Sequence, residues 1–538
     1  MNEKKSSFKH HSLPATAIRL ALLILICCLD PAGGIAQSGP KAAITGGEVR
    51  GRLLDGGGAV FLGIPYAQQP VGDLRWREPI PVKPWSGVRD ATKYGSPCAQ
   101  MGQKGFSGSE DCLYLNVFTP EWPVKSQVPV MVWLHGGANA AGSAGNPSFE
   151  GISLIRRGVV LVTVNYRVGA MGFMAHPELS KESPHHASGN YCLMDALMAL
   201  RWVRDNAVRF GGDPRKVTLF GQSSGSLDIQ VLMTSPLSKG LFQYAIAESG
   251  QMTSFGGTMV KGRAEQIGEK IAEAMNAPKG KDALAFLRGL PVEKVATVAA
   301  PFLPTELDTD AGLLTSVDGW VLPRHPVQVF ADGKELPIPL IVGNNSREIT
   351  QQFTNIDLRK AIEKKYGSEL AAKAFPVYGI VGDAEPKPDP LFGSAGAQWM
   401  TDIVQRCGTV TISQYHSAAH HPTYQYQFDR VTPGRESAGS SHGAEIVYVF
   451  GTLDRPGNNV AWSDSDRKAS DIIQQYWTNF AKTGNPNGGS LPEWPGYEPV
   501  TARYLEFTAE GPVAGANILP IHCDVFREWV RRHMLGAK

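Results

Sequence analysis

A serine can attack a carbonyl only if its hydroxyl stands clear of the backbone, and Val217-Thr218-Leu219-Phe220-Gly221-Gln222-Ser223-Ser224-Gly225-Ser226 is composed for that. An apolar, partly β-branched run breaks abruptly into Gly-x-Ser-x-Gly and continues as helix-like sequence. At a sharp strand-to-helix turn the serine is pushed into the open, and glycines flank it because side chains there would collide with neighbouring backbone. Ser223 is the candidate nucleophile. With 59 glycines in 538 residues the bare pattern is weak, and Gly439-Ser440-Ser441-His442-Gly443 also matches it. Context separates the two. Residues 217–220 read as a short buried strand, whereas 431–441 is a polar loop containing Gly and Pro with no strand feeding it.

An attacked carbonyl develops a full negative charge on its oxygen, so a nucleophilic serine needs hydrogen-bond donors set in advance. Val130-Met131-Val132-Trp133-Leu134 reads as a second buried strand, and it runs into His135-Gly136-Gly137-Ala138. A Gly-rich loop in that position offers backbone amides to such an oxyanion.

These loops need a scaffold that delivers them to one place. Strands are expected near 128–134, 159–165, 216–220, 243–247 and 337–342, with helix-like stretches such as 193–208 and 469–482 between and after them. That alternation calls for an α/β fold, a mostly parallel sheet covered by helices. Residues 255–335 and 355–420 are richer in charge and helical pattern, and are expected to form lid-like excursions that shape the pockets. No internal repeat and no low-complexity linker interrupts the chain.

Composition bounds this reading without choosing it. A hydrophobic content of 42% can bury a large core, and large α/β folds often form one domain. A net charge of +2 points to neither nucleic acid nor an anionic surface as partner. At the start, Lys4, Lys5, Lys9 and Arg19 precede an apolar run, Leu20 to Leu29, too short to span a membrane as a normal helix. Gly34-Ile35-Ala36 before Gln37 has the small-residue character of a cleavage site. Residues 1–36 therefore read as an export signal, with a buried helix or uncleaved anchor as the other reading. No later segment has about 18 uninterrupted apolar residues, so a secreted or periplasmic protein without stable membrane insertion is expected.

The chain resembles the type B carboxylesterases, the α/β-hydrolase family that includes cholinesterases and the non-catalytic neuroligins. The resemblance is carried by FLGIPYAQQPVGDLRW (61–76), SEDCLYLNVFTP (109–120), VTVNYRVGAMGF (162–173), the run from Gly189 to Ser226, SPLSKGLFQYAIAESG (235–250), VGNNSREIT (342–350) and HGAEIVYVFG (442–451). It implies a single α/β-hydrolase domain over 38–538. It also implies a triad in the order Ser223, Glu348, His442, with oxyanion amides from Gly137, Ala138 and Ser224. Ser249 matches a serine that supports the acid in relatives; from its residues alone it reads equally as a cap or turn serine. The implied chemistry is ester hydrolysis through an acyl-enzyme, with no metal or organic cofactor. Of the 13 histidines, pairs such as His185, His186 and His420, His421 read as exposed, and no pair shows zinc spacing backed by a third ligand.

The resemblance further pairs Cys98 with Cys112, allows Cys407 with Cys523, and leaves Cys192 as a small buried thiol. Arg75 with Glu110 and Arg167 with Asp195 match ion pairs that hold loops to the sheet in relatives. Departures narrow the substrate. Gln222 stands where cholinesterases carry glutamate, and the loop Ala99 to Asp111 holds Phe106 but no tryptophan, so the aromatic face for a choline cation is missing. Asn139, where an aromatic or aliphatic residue is usual, is expected to make one pocket wall more polar. The expected substrate is a small-molecule or polymeric carboxylic ester. Two other readings stand beside this one: a catalytically silent binding protein of the neuroligin kind, and a lipase acting at lipid interfaces.

Overall fold

The apolar runs singled out above become the middle of an eleven-stranded sheet. The computed structural model describes Met1 and residues 39–102, 104–253, 259–303, 312–382 and 384–536; apart from Met1, the expected export signal lies outside the described residues. Pro40–Lys538 forms one compact unit. In chain order the sheet strands are β1 (Arg52–Leu53), β2 (Ala59–Pro65), β3 (Tyr114–Thr119), β4 (Val128–Leu134), β5 (Val160–Val164) and β6 (Gly212–Gln222). They continue with β7 (Tyr244–Glu248), β8 (Leu340–Asn345), β9 (Thr423–Phe428), β10 (Arg503–Phe507) and β11 (Pro512–Ala516).

Across the sheet the order is β11-β10-β9-β8-β7-β6-β4-β5-β3-β2-β1. Every neighbour from β10 to β5 pairs in parallel, while β11 and the β3-β2-β1 edge run antiparallel. Parallel strands need crossover connections, and the helices that make them cover both faces. That is why β4 and β5 are almost continuously apolar. Their alternating side chains serve two cores: Val130, Val132 and Leu134 join one, Met131 and Trp133 the other. On the first face lie helices Tyr191–Asn206, Ser224–Leu232 and Cys407–Ala418, contributing Leu193, Ile229 and Ile412. On the second lies Asp464–Thr483, with Ile473, Trp477 and Phe480.

Two expected strands move in register. The run expected at 216–220 starts earlier, at Gly212, with a bulge between Asp213 and Val217. The run expected at 337–342 starts pairing only at Leu340, because Pro337 and Pro339 bring no N–H to the ladder. The last part of 355–420, helix Cys407–Ala418, is the crossover between β8 and β9 and packs on both. It belongs to the scaffold.

Both disulfides form, Cys98–Cys112 and Cys407–Cys523; the second ties the crossover helix to the C-terminal helix Pro520–His533. Cys192 is a buried free thiol whose pKa burial pushes well up. Arg75 and Arg167 each clasp their carboxylate with two nitrogens, at 2.6 and 2.7 Å to Glu110 and at 2.8 and 2.7 Å to Asp195. Among the described residues no helix is long and apolar enough to cross a membrane.

Candidate active site

Strands β4 and β6 lie side by side in register, with Gly221 opposite Leu134. The residues that follow them therefore leave the sheet together, Gln222-Ser223 from one and His135-Gly136-Gly137 from the other. Ser223 turns the chain with φ 58 and ψ −125 before helix Ser224–Leu232 begins. A serine in that region is strained, and the surrounding packing has to hold it there. Its amide donates to the Glu248 carbonyl at 2.9 Å, and a Cβ on Gly225 would lie 2.2 Å from the Leu134 carbonyl oxygen. Only glycine fits that turn. Gly136 presses on the elbow as closely: an added Cβ would sit 2.8 Å from the Ser223 Cβ.

The loop after β4 is bent through three successive positive φ values, 125, 56 and 55, at Gly137, Ala138 and Asn139. Buried supports hold it. His135 stacks on Tyr166 with ring centroids 4.3 Å apart, and the Tyr166 hydroxyl donates to the His135 carbonyl. Burial pushes the His135 ring down to about 4, so this histidine is a neutral strut at neutral pH. Asn139 corrects the sequence reading. Its side chain is buried, and its Nδ2 donates to Asp228 Oδ1 at 2.9 Å, tying this loop to the helix that follows Ser223. Burial pushes Asp228 up to about 7, although Asn139 and the Cys192 thiol both hydrogen-bond to it. The sequence reading missed Asp228, which stands out only as a lone carboxylate among small and apolar neighbours.

The acid and base come from neighbouring strands. Glu348 lies three residues beyond β8 and is buried; its Oε1 accepts the Asn345 amide at 2.6 Å, and its Oε2 lies 2.7 Å from His442 Nδ1. The two loops are also stitched through backbone, His442 amide to Glu348 carbonyl at 3.1 Å. A carboxylate can only accept, so Nδ1 carries the proton and Nε2 is the basic nitrogen. Nε2 lies 3.3 Å from the side-chain nitrogen of Gln222, the residue before Ser223. The His442 side chain is 33% exposed, open enough to meet a ligand, while Glu348 is sealed.

Glu445 was also missed. It is buried, its Oε2 accepts from Asn345 Nδ2 at 2.6 Å, and burial together with the charge of Glu348 pushes it up to about 7. The legible signal was a second carboxylate three residues after His442. Ser249 is buried at φ 47, with its amide donating to the Gly343 carbonyl at 2.9 Å, and its hydroxyl makes no hydrogen bond to Glu348. The loop between Cys98 and Cys112 forms a hairpin in which Phe106 faces Met101. Gln100 from this hairpin bonds both the amide and the carbonyl of Gly142, at 2.7 and 3.0 Å, bracing the far end of the Gly137 loop.

A serine elbow and a carboxylate–imidazole pair on the carboxyl ends of a helix-covered, mostly parallel sheet define an α/β-hydrolase. The chain belongs to the carboxylesterase family, whose model matches residues 38–523. It is 34% identical to the fumonisin B1 esterase of Sphingopyxis macrogoltabida over 473 residues, covering 84% of this chain and 83% of that one. It is 32% identical to liver carboxylesterase 1 of Oryctolagus cuniculus, covering 91% and 93%. Among solved structures, a PNB esterase superposes with a TM-score of 0.76 at 32% identity, covering 89% of this chain and 98% of that one. The protein is a carboxylic ester hydrolase.

Proposed function

We propose that this esterase works through Ser223, His442 and Glu348 by way of an acyl-enzyme. His442 Nε2 takes the proton from Ser223 as its oxygen attacks the ester carbonyl, and then delivers that proton to the departing alcohol. Glu348 keeps the ring in the tautomer with Nδ1 protonated and stabilises the imidazolium. The amides of Gly137, Ala138 and Ser224 receive the carbonyl oxygen as it becomes an anion. Water, activated by the same nitrogen, then releases the acid and restores Ser223. The observation that carries this reading is the 2.7 Å contact of His442 Nδ1 with Glu348, with Nε2 turned toward Gln222 at the elbow.

The chain is read as one exported catalytic domain over 38–538. The basic and then apolar residues of 1–36 and the two disulfides support a secreted or periplasmic location. The substrate is a small-molecule or polymeric carboxylic ester rather than a choline ester, since neither a glutamate before Ser223 nor a tryptophan in the Ala99 to Asp111 loop is present. The test is hydrolysis of p-nitrophenyl esters from acetate to long acyl chains, with fumonisin B1 as a separate arm. Wild type and Ser223→Ala are compared, and a fluorophosphonate label is located by mass spectrometry. Activity and labelling that both vanish in the variant support the reading; a label on another serine sinks it.

A further inference from the structure

At the opposite ends of β8 and β9 from Glu348 and His442 lies a second group of histidines and a glutamate. Glu335 sits in the loop before β8, His416 in the last turn of helix Cys407–Ala418, and His421 in the turn entering β9. A helix-ending motif builds it. The amide of His421 donates to the His416 carbonyl at 3.2 Å and that of His420 to the Ser417 carbonyl at 2.9 Å, with His420 in the left-handed region at φ 64. Glycine is usual at that position, and a histidine there is strained. The consequence is that His421 folds back over His416, their Nδ1 atoms 3.4 Å apart.

Both nitrogens converge on one carboxylate oxygen. Glu335 Oε1 lies 2.7 Å from His416 Nδ1 and 3.0 Å from His421 Nδ1. Glu335 and His416 are fully buried at the side chain, and Glu335 Oε2 has no hydrogen-bond partner. Among the described residues no lysine or arginine pairs with this carboxylate. A buried carboxylate left with only imidazoles calls for a cation at its centre. The outer contact of His416 fits one: its Nε2 donates to the Ile338 carbonyl at 2.9 Å, which leaves Nδ1 as a lone pair aimed inward. Metal-binding histidines are commonly fixed this way, through a carbonyl on the far nitrogen.

We propose that Glu335, His416 and His421 form a zinc site that clamps the crossover helix to the loop entering β8. Two imidazoles and a carboxylate are a zinc donor set, and tetrahedral nitrogens 2.0–2.1 Å from zinc lie about 3.4 Å from each other, the separation found here. The glutamate needs to draw back only slightly to reach the same shell. The His421 side chain is 14% exposed, so an ion can enter on that side and water can fill the fourth position. β8 has six residues, which at about 3.3 Å each put roughly 20 Å between the two ends. The ion is structural and takes no part in ester cleavage.

The test uses the full chain, dialysed against EDTA, reloaded with zinc sulfate and gel-filtered before metal analysis. Wild type is expected to retain one zinc per chain and to melt at a higher temperature than the EDTA-treated protein. His421→Ala and Glu335→Gln should bind zinc more weakly by at least the roughly 100-fold upper figure for loss of an outer-shell partner, with kcat on p-nitrophenyl esters unchanged. Cobalt(II) added to stripped wild type should give the intense visible bands of a four-coordinate site, a readout that needs no variant. Absence of those bands, no zinc retained by wild type, or equal retention by both variants would overturn the site. So would a Tm that follows pH but not zinc, which marks a cluster held by protons alone.

Discussion

The two ends of β8 and β9 each hold a histidine 2.7 Å from a buried glutamate, yet only one of the two lies beside the serine elbow. The difference lies in the second ring nitrogen. At the carboxyl end, His442 Nε2 faces the serine elbow and the side chain is partly open. At the amino end, His416 Nε2 is already committed to the Ile338 carbonyl and the ring is sealed. A carboxylate–imidazole contact therefore does not by itself mark a base. What distinguishes the carboxyl end is an opposite nitrogen that faces the serine elbow at Gln222 instead of a backbone carbonyl.

The sharpest way to break this comparison is to remove the group that only the carboxyl end serves. Ser223→Ala should lower kcat on p-nitrophenyl esters by about 10^4- to 10^6-fold with Tm unchanged, as scanning calorimetry would show. A residual rate near wild type would separate the elbow from the chemistry. Next come the matched glutamates. Glu348→Gln should cost about 10^4-fold in kcat, because the His442 tautomer is no longer held, whereas Glu335→Gln should leave kcat intact. Equal losses in steady-state assays would mean the two ends are not functionally distinct.

A smaller effect probes the supports of the carboxyl end. Asn139→Gly keeps the left-handed backbone but deletes the bond to Asp228, and kcat should fall by about 10- to 100-fold with KM nearly constant, short of losing an oxyanion donor outright. A change confined to KM would place Asn139 in substrate binding instead. The smallest effect is in stability. Asp228 titrates at about 7 in the folded chain, well above its value of about 3.8 when unfolded, so the folded state holds the proton more tightly. Stability should accordingly fall as pH rises from about 4 to 7 and level off above. Asp228→Asn should flatten that slope and gain about 1–3 kcal/mol at pH 8. Tm curves of the two proteins that stay parallel from pH 4 to 8 would count against it.

Much of the carboxyl end was legible because its requirements are local. Gly221-Gln222-Ser223-Ser224-Gly225 and His135-Gly136-Gly137 are readable since a tight turn admits few residue types, and β4 was placed residue for residue from one apolar run. Strands β1, β2, β3, β9, β10 and β11 were not singled out. β9 carries tyrosines and glutamines, and its ends are set by pairing with β8 rather than by its own composition. Asn139 was misplaced for a similar reason. Its type announces polarity but not direction, and its partner lies 89 residues away.

By itself the sequence determined the family and marked a candidate nucleophile and a candidate oxyanion loop, because steric limits at turns and burial along strands act within a few residues. The resemblance implied Glu348 with His442, whereas only the tertiary structure brought Glu335 to His416 and His421. Glu348 and His442 are 94 residues apart, Glu335 and His421 are 86 apart, and both contacts exist because β8 and β9 pair in parallel. That pairing brings the loops at each end of the two strands together, and side chains carry no local signal of a partner that arrives only when the sheet closes.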